Sequence, residues 1–208
     1  MTLRLSLPSL GVLCLALAVP ANASQPMSGS YGPLALVVGD DGSVHGVFAE
    51  RQIGNGTPEA PQFDCLFLLV GHVEGDRADV VTWFPGKAER IGGELHLGAE
   101  PSLRLAENHG GCLMTTGDMK GAPYDLLLDE RREDWIGAGL VAAERAILHP
   151  SPTNAPGRSR PYLVRFDPVA VLAQRPGWIH VEYLEATDRP VTGWLREADV
   201  VLSAAARP

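Results

Sequence analysis

Positive charge is scarce in this sequence: 17 basic residues face 25 acidic ones, and all but two of the 17 are arginine. The resulting net charge of −8 removes the electrostatic footing for general nucleic-acid binding. Aromatic residues are also few, at 6%, but the hydrophobic share of 45% is ordinary, which excludes a disordered chain. Long helical stretches are missing, and 23 glycines with 17 prolines favour many turns instead. Beyond the N-terminus no apolar run is long enough to cross a bilayer. Catalytic signatures are missing too. There is no G-x-S-x-G elbow, and none of the six histidines (45, 72, 96, 109, 149 and 180) pairs with another at helical spacing or joins a zinc-type cluster. No catalytic residue, metal ligand or cofactor is assigned on this basis. Gly137-Ala138-Gly139-Leu140-Val141-Ala142 matches a dinucleotide fingerprint in letters alone. It lacks the βαβ setting, and no acidic residue follows about 20 positions later.

What is present begins with an export signal. Arg4 precedes a nearly continuous apolar run from Leu5 to Val19, Pro20 breaks it, and Ala21-Asn22-Ala23 supplies a small-x-small cleavage site. Cleavage is expected before Ser24, placing the mature protein in the periplasm or outside the cell with no membrane span. A lipoprotein reading of Cys14 fails because Leu13 stands where a small residue is needed. Removal of residues 1–23 leaves 185 residues, net −9, and two cysteines, Cys65 and Cys112. Two cysteines in an oxidising compartment are expected to form one disulfide. His109-Gly110-Gly111 before Cys112 raises a Cys/His nucleophile as the alternative, which the spare partner cysteine disfavours.

Charge divides the mature chain. Residues 24–143 carry 18 acidic and 8 basic groups, net −10, whereas residues 144–208 carry 7 and 8, net +1. The first part, 24–134, reads as an acidic all-β domain forming a small barrel or sandwich. Leu34 to Val38 and Val44 to Phe48 flank Gly39-Asp40-Asp41-Gly42, a hairpin pattern. Phe63 to Val70 has the length of a central strand. Ala78 to Phe84, Glu94 to Leu97, Leu103 to Leu105 and Tyr124 to Leu128 follow as short strands. Asp129 to Asp134 reads as a solvated charged loop. The segment 135–143 is assigned as a connector, and Trp135 to Leu148 fits either a glycine-weakened amphipathic helix or an extended stretch.

The most specific pattern lies further on. Tyr162-Leu163-Val164-Arg165-Phe166-Asp167 is followed by Val169-Ala170-Val171-Leu172, then by Gly177-Trp178-Ile179-His180-Val181-Glu182-Tyr183. Gly193-Trp194-Leu195 and Glu197-Ala198-Asp199-Val200 close the series. Residues 144–202 thereby resemble the bacterial SH3-like domain family, with Pro168 as a departure at a strand entry; residues 203–208 form a C-terminal tail. The resemblance implies a five-stranded β-barrel and recognition of peptidoglycan or a wall-associated envelope protein. Tyr162, Trp178, Tyr183 and Trp194 are the candidate ligand-groove residues, between the loop from Thr153 to Pro161 and the turn at Gly177-Trp178. Alternation sets Trp178, His180 and Glu182 on one strand face and Ile179, Val181 and Tyr183 on the other.

Three functions remain open. The leading one is a non-enzymatic envelope protein with a binding module. A second is an inhibitor or immunity protein whose acidic domain meets a basic secreted lytic enzyme. A third is a catalytic or accessory wall hydrolase.

Overall fold

The computed structural model describes residues 26–52, 54, 56–153, 160–186 and 189–203, so the expected signal at 1–23 lies outside the described residues. The chain is all-β. Its first part contains β1 (Gly29–Tyr31), β2 (Leu34–Val38), β3 (Ser43–Gln52), β4 (Phe63–Glu74), β5 (Arg77–Trp83), β6 (Ile91–His96) and β7 (Ser102–Leu105). A four-residue helix α1 (Cys112–Thr115) follows, then β8 (Tyr124–Asp125) and β9 (Leu128–Arg131). These strands form one antiparallel sheet in the order β8-β7-β6-β5-β4-β3-β2-β1-β9. Its two edge strands, β8 and β9, are separated in sequence by Leu126 and Leu127 alone. So short a connection spans only about 10 Å, and the sheet therefore curls until its edges nearly meet.

The inside of this curled sheet holds one core, in which Phe48 and Phe67 stack at 4.7 Å and Leu34, Leu36, Leu69, Leu95, Leu103 and Leu105 are buried around them. The outside of β2, β3 and β4 is apolar as well: Ala35, Val37, Val47, Leu66 and Leu68 form a second buried layer with Trp135, Ala138, Leu140 and Ala170. Burial on both faces is why β2 and the middle of β4 read as unbroken apolar runs rather than alternating ones. The expected hairpin is present, with Gly42 at φ +79° in its turn.

The second sheet comprises β10 (Gly137–Val141), β13 (Pro168–Arg175), β14 (Trp178–Tyr183), β15 (Val191–Arg196) and β16 (Val200–Leu202), ordered β15-β14-β13-β10-β16. A separate hairpin pairs β11 (Arg145–Ile147) with β12 (Tyr162–Val164). Segment 135–143 thus differs from the expected connector: its centre is a fully buried strand between β13 and β16. Small residues make this possible, since a Cβ on Gly139 would lie 2.6 Å from the Val201 carbonyl oxygen. We expect Gly139→Ala to cost about 1–3 kcal/mol in urea unfolding, because the obstacle is backbone and cannot rotate away. The same strand answers the dinucleotide fingerprint, whose glycines serve antiparallel pairing in mid-sheet.

The charged run at 129–134 is exposed apart from Arg132, but its first half is strand rather than loop. Leu128–Arg131 pairs with β1, and Arg132 reaches across to the second sheet, where its Nη1 donates to Glu182 Oε1 at 3.0 Å and its Nη2 to Glu182 Oε2. A parallel clamp joins Arg51 to Glu185 at 2.7 Å and to the Phe166 carbonyl at 3.1 Å. Phe166 itself sits in the left-handed region at φ +71°, with its ring against Phe84, the residue that follows β5.

Candidate functional site: an aromatic and imidazole face

Register decides which groups share a surface. Across β14 and β15, Trp178 pairs with Arg196, His180 with Trp194 and Glu182 with Thr192. These six side chains therefore project from one face of the sheet, while Ile179, Val181 and Leu195 project from the other into the second-sheet core. Gly177, at φ +73°, makes the turn that aims Trp178 at the start of its strand.

Trp178 is 7% exposed, with the His149 ring edge-on at 4.9 Å and the Arg196 guanidinium 4.4 Å from its centroid. It is a packing residue that supports the face. Trp194 is half-buried and stacks on His180 at 5.1 Å. Its backbone N–H donates to the His149 carbonyl at 2.8 Å and its carbonyl accepts from the His149 N–H at 2.9 Å, bringing the chain after β11 to the sheet edge. Arg160 donates to His149 Nδ1 at 2.6 Å, which places the neutral ring's proton on Nε2. Burial first, then the Arg160 and Arg196 charges, hold the His149 pKa below its ordinary value.

The four candidate groove residues do not form one surface. Tyr183 lies half-buried against the second-sheet core, and its hydroxyl donates to Glu185 Oε2 at 3.0 Å. Burial, followed by the negative charges of Glu185 and Asp167, raises its pKa, so the phenol stays protonated. It belongs to the contact between the sheets, because Glu185 also takes Arg51. Tyr162 is 48% exposed on β12 beneath the Arg145 guanidinium, at 3.9 Å. Trp178 and Trp194 remain together. Much of the expected groove wall, residues 154–159, lies outside the described residues.

Alternation placed His180 on this face, but sequence reasoning missed His149, Arg160 and Arg196 as members of it. The pairing of β14 with β15 would have added Arg196; His149 and Arg160 arrive by long-range contact that spacing does not reveal. The expected disulfide is present, joining Cys65 on β4 to Cys112 at the start of α1. This uses the thiol that a Cys/His nucleophile would need. Among the described residues no group of three or more His, Cys, Asp or Glu side chains is placed to hold a metal. No helix of the described residues is long and apolar enough to cross a membrane. Comparison with protein-family models, curated proteins and solved structures found no match to this chain.

Proposed function

We propose that this is an exported, non-enzymatic envelope protein whose second sheet is an SH3-like module binding the cell wall or a wall-associated protein. The observation that carries the reading is the half-buried Trp194 stacked on His180, beside a buried Trp178 and between Arg196 and the Arg160–His149 pair. A flat aromatic surface supports sugar rings or peptide planes, and the flanking guanidinium groups suit carboxylates. Support for the SH3-like reading comes from the five-strand order, the extra hairpin between the first two strands and the short helical turn Glu197–Asp199 before β16.

The test is co-sedimentation of the oxidised mature protein with insoluble peptidoglycan sacculi at low and high salt. Retained pelleting at high salt is expected. Trp194→Ala should keep the thermal midpoint and lose about tenfold in binding, the scale of an aromatic hot spot. Trp178→Ala should lower the midpoint. Undiminished pelleting of Trp194→Ala would remove this face from the proposal.

A second reading, an inhibitor or immunity protein for a basic lytic enzyme, is favoured by the outer surface of the first sheet. There exposed Asp79 and Glu94 face each other directly across β5 and β6, with Arg104 facing Glu94 from β7, in a part of the chain, 24–143, that carries net −10. Failure to pellet, together with salt-sensitive capture of a basic lytic enzyme, would establish that reading over wall recognition.

A further inference from the structure

One end of the curled sheet holds a buried histidine that the wall-binding face does not use. His109 is 8% exposed, and its ring lies on Phe67 with centroids 4.7 Å apart. Its Nε2 is 2.7 Å from Thr82 Oγ1. Thr82 has a single hydroxyl proton, which we assign to the Ile91 carbonyl oxygen at 3.0 Å because that oxygen can only accept. The hydroxyl oxygen must then accept from Nε2–H. A neutral imidazole carries one N–H, so Nδ1 is left as a lone-pair acceptor. No hydrogen bond to Nδ1 is formed among the described residues.

The same ring lines a cavity of about 410 Å³ whose other walls are Phe84, Lys87, Glu89 and Gly110. That volume suits a small molecule. Lys87 and Glu89 are exposed, and neither enters an ion pair among the described residues. The loop that bears them is nonetheless held: Arg90 donates to the carbonyls of Lys87 at 3.0 Å, Ala88 at 3.4 Å and Glu89 at 3.0 Å. Its guanidinium also sits 5.1 Å from the Trp83 ring centroid. The cavity is therefore lined by one cation, one anion, one imidazole ring and one aromatic wall on a braced frame.

We propose that this cavity binds a small zwitterion, a free α-amino acid. The ligand ammonium donates to His109 Nδ1 and Glu89, the carboxylate meets Lys87, and an apolar side chain lies on Phe84. The lone pair on Nδ1 sets the orientation, because it accepts an N–H and repels a carboxylate oxygen. This site is independent of the aromatic face on β14 and β15.

The experiment titrates the oxidised protein, with ¹⁵N-labelled histidine, against alanine and phenylalanine of both hands, following the His109 ring nitrogens by NMR. N-acetylphenylalanine and phenylalaninamide are the end-blocked controls. A saturable shift of Nδ1 is expected, weakened about tenfold by blocking either end and by Lys87→Ala or Glu89→Ala, the worth of one charge-assisted contact. Thr82→Val removes the acceptor that fixes the tautomer, so the ring proton should move in part to Nδ1 and binding should weaken with both charges intact. No saturable shift from any unblocked probe up to on the order of 10 mM overturns the proposal. So does equal binding of blocked and unblocked probes.

Discussion

Replacing both Cys65 and Cys112 by alanine is expected to destabilise the protein by about 4 kcal/mol, the chain-entropy value for a loop of this size. The bridge closes 47 positions of sequence and joins Cα atoms 4.4 Å apart. Both cysteines are fully buried in the first core, so alanine is the suitable replacement; serine would add two hydroxyls with nothing to bond. The closed loop contains the end of β4 and all of β5, β6 and β7, three of the nine strands of the curled sheet. Without the bridge, those strands and the segment carrying His109 must be ordered by the sheet alone. Gly111, at φ +85°, is the companion requirement, since a Cβ there would run into the backbone of Asp64 next to Cys65. Urea unfolding of the oxidised protein against the double variant measures the effect, and a midpoint lower by about 8–16 °C should accompany it. A difference below about 1 kcal/mol would mean that the unfolded chain is already compact in this region.

The architecture was legible where local chemistry and tertiary packing agree. The Asp41-Gly42 turn and the apolar run around Cys65 follow from residues close in sequence, and the pairing of the two cysteines from their being the only two outside the expected signal. The reading failed where packing overrides composition. Gly137 to Val141 has weak propensity for any element, and only the close approach of β16 makes its glycines intelligible. Arg132 sits in a run of charges that resembles solvated surface, but its partner Glu182 is fifty residues away. Within the candidate site, alternation separated Trp178 and His180 from Tyr183 correctly. It could not show that Tyr183 faces the core beside an ionic cluster, or that Tyr162 stands on a separate hairpin. Side-chain direction is local; the choice of neighbouring element is not.

The two ionic clamps explain why the sheets need a polar seam as well as an apolar one. The layer around Trp135 and Leu140 is non-directional, whereas Arg132 with Glu182 and Arg51 with Glu185 fix how the sheets are set against each other. Arg132 is 16% and Glu182 12% exposed at the side chain, dry enough for the pair to hold its geometry.

Acid should weaken the protein through His109 before it does so through most surface carboxylates. Burial lowers the His109 pKa from 6.5 to about 4 in the folded state. A base with a depressed folded pKa contributes stability that is complete above the unfolded value and lost as pH falls toward the folded one. The window is therefore pH 6.5 down to 4, and the loss across it is about 3 kcal/mol. Structurally, a second proton would have to sit on Nδ1 while Nε2–H already engages Thr82, leaving a cation against Phe67. Other groups titrate nearby in both directions. Asp134 is held low by Arg132, whereas burial raises Asp167, which works the opposite way as pH falls. Comparison with His109→Gln cancels them, because glutamine keeps an amide donor for Thr82 and does not titrate. Urea unfolding at pH 7 and pH 4 should show wild type losing about 3 kcal/mol more than the variant. Parallel losses in the two proteins would assign the acid sensitivity to carboxylates and leave the imidazole accessible to solvent in the folded state.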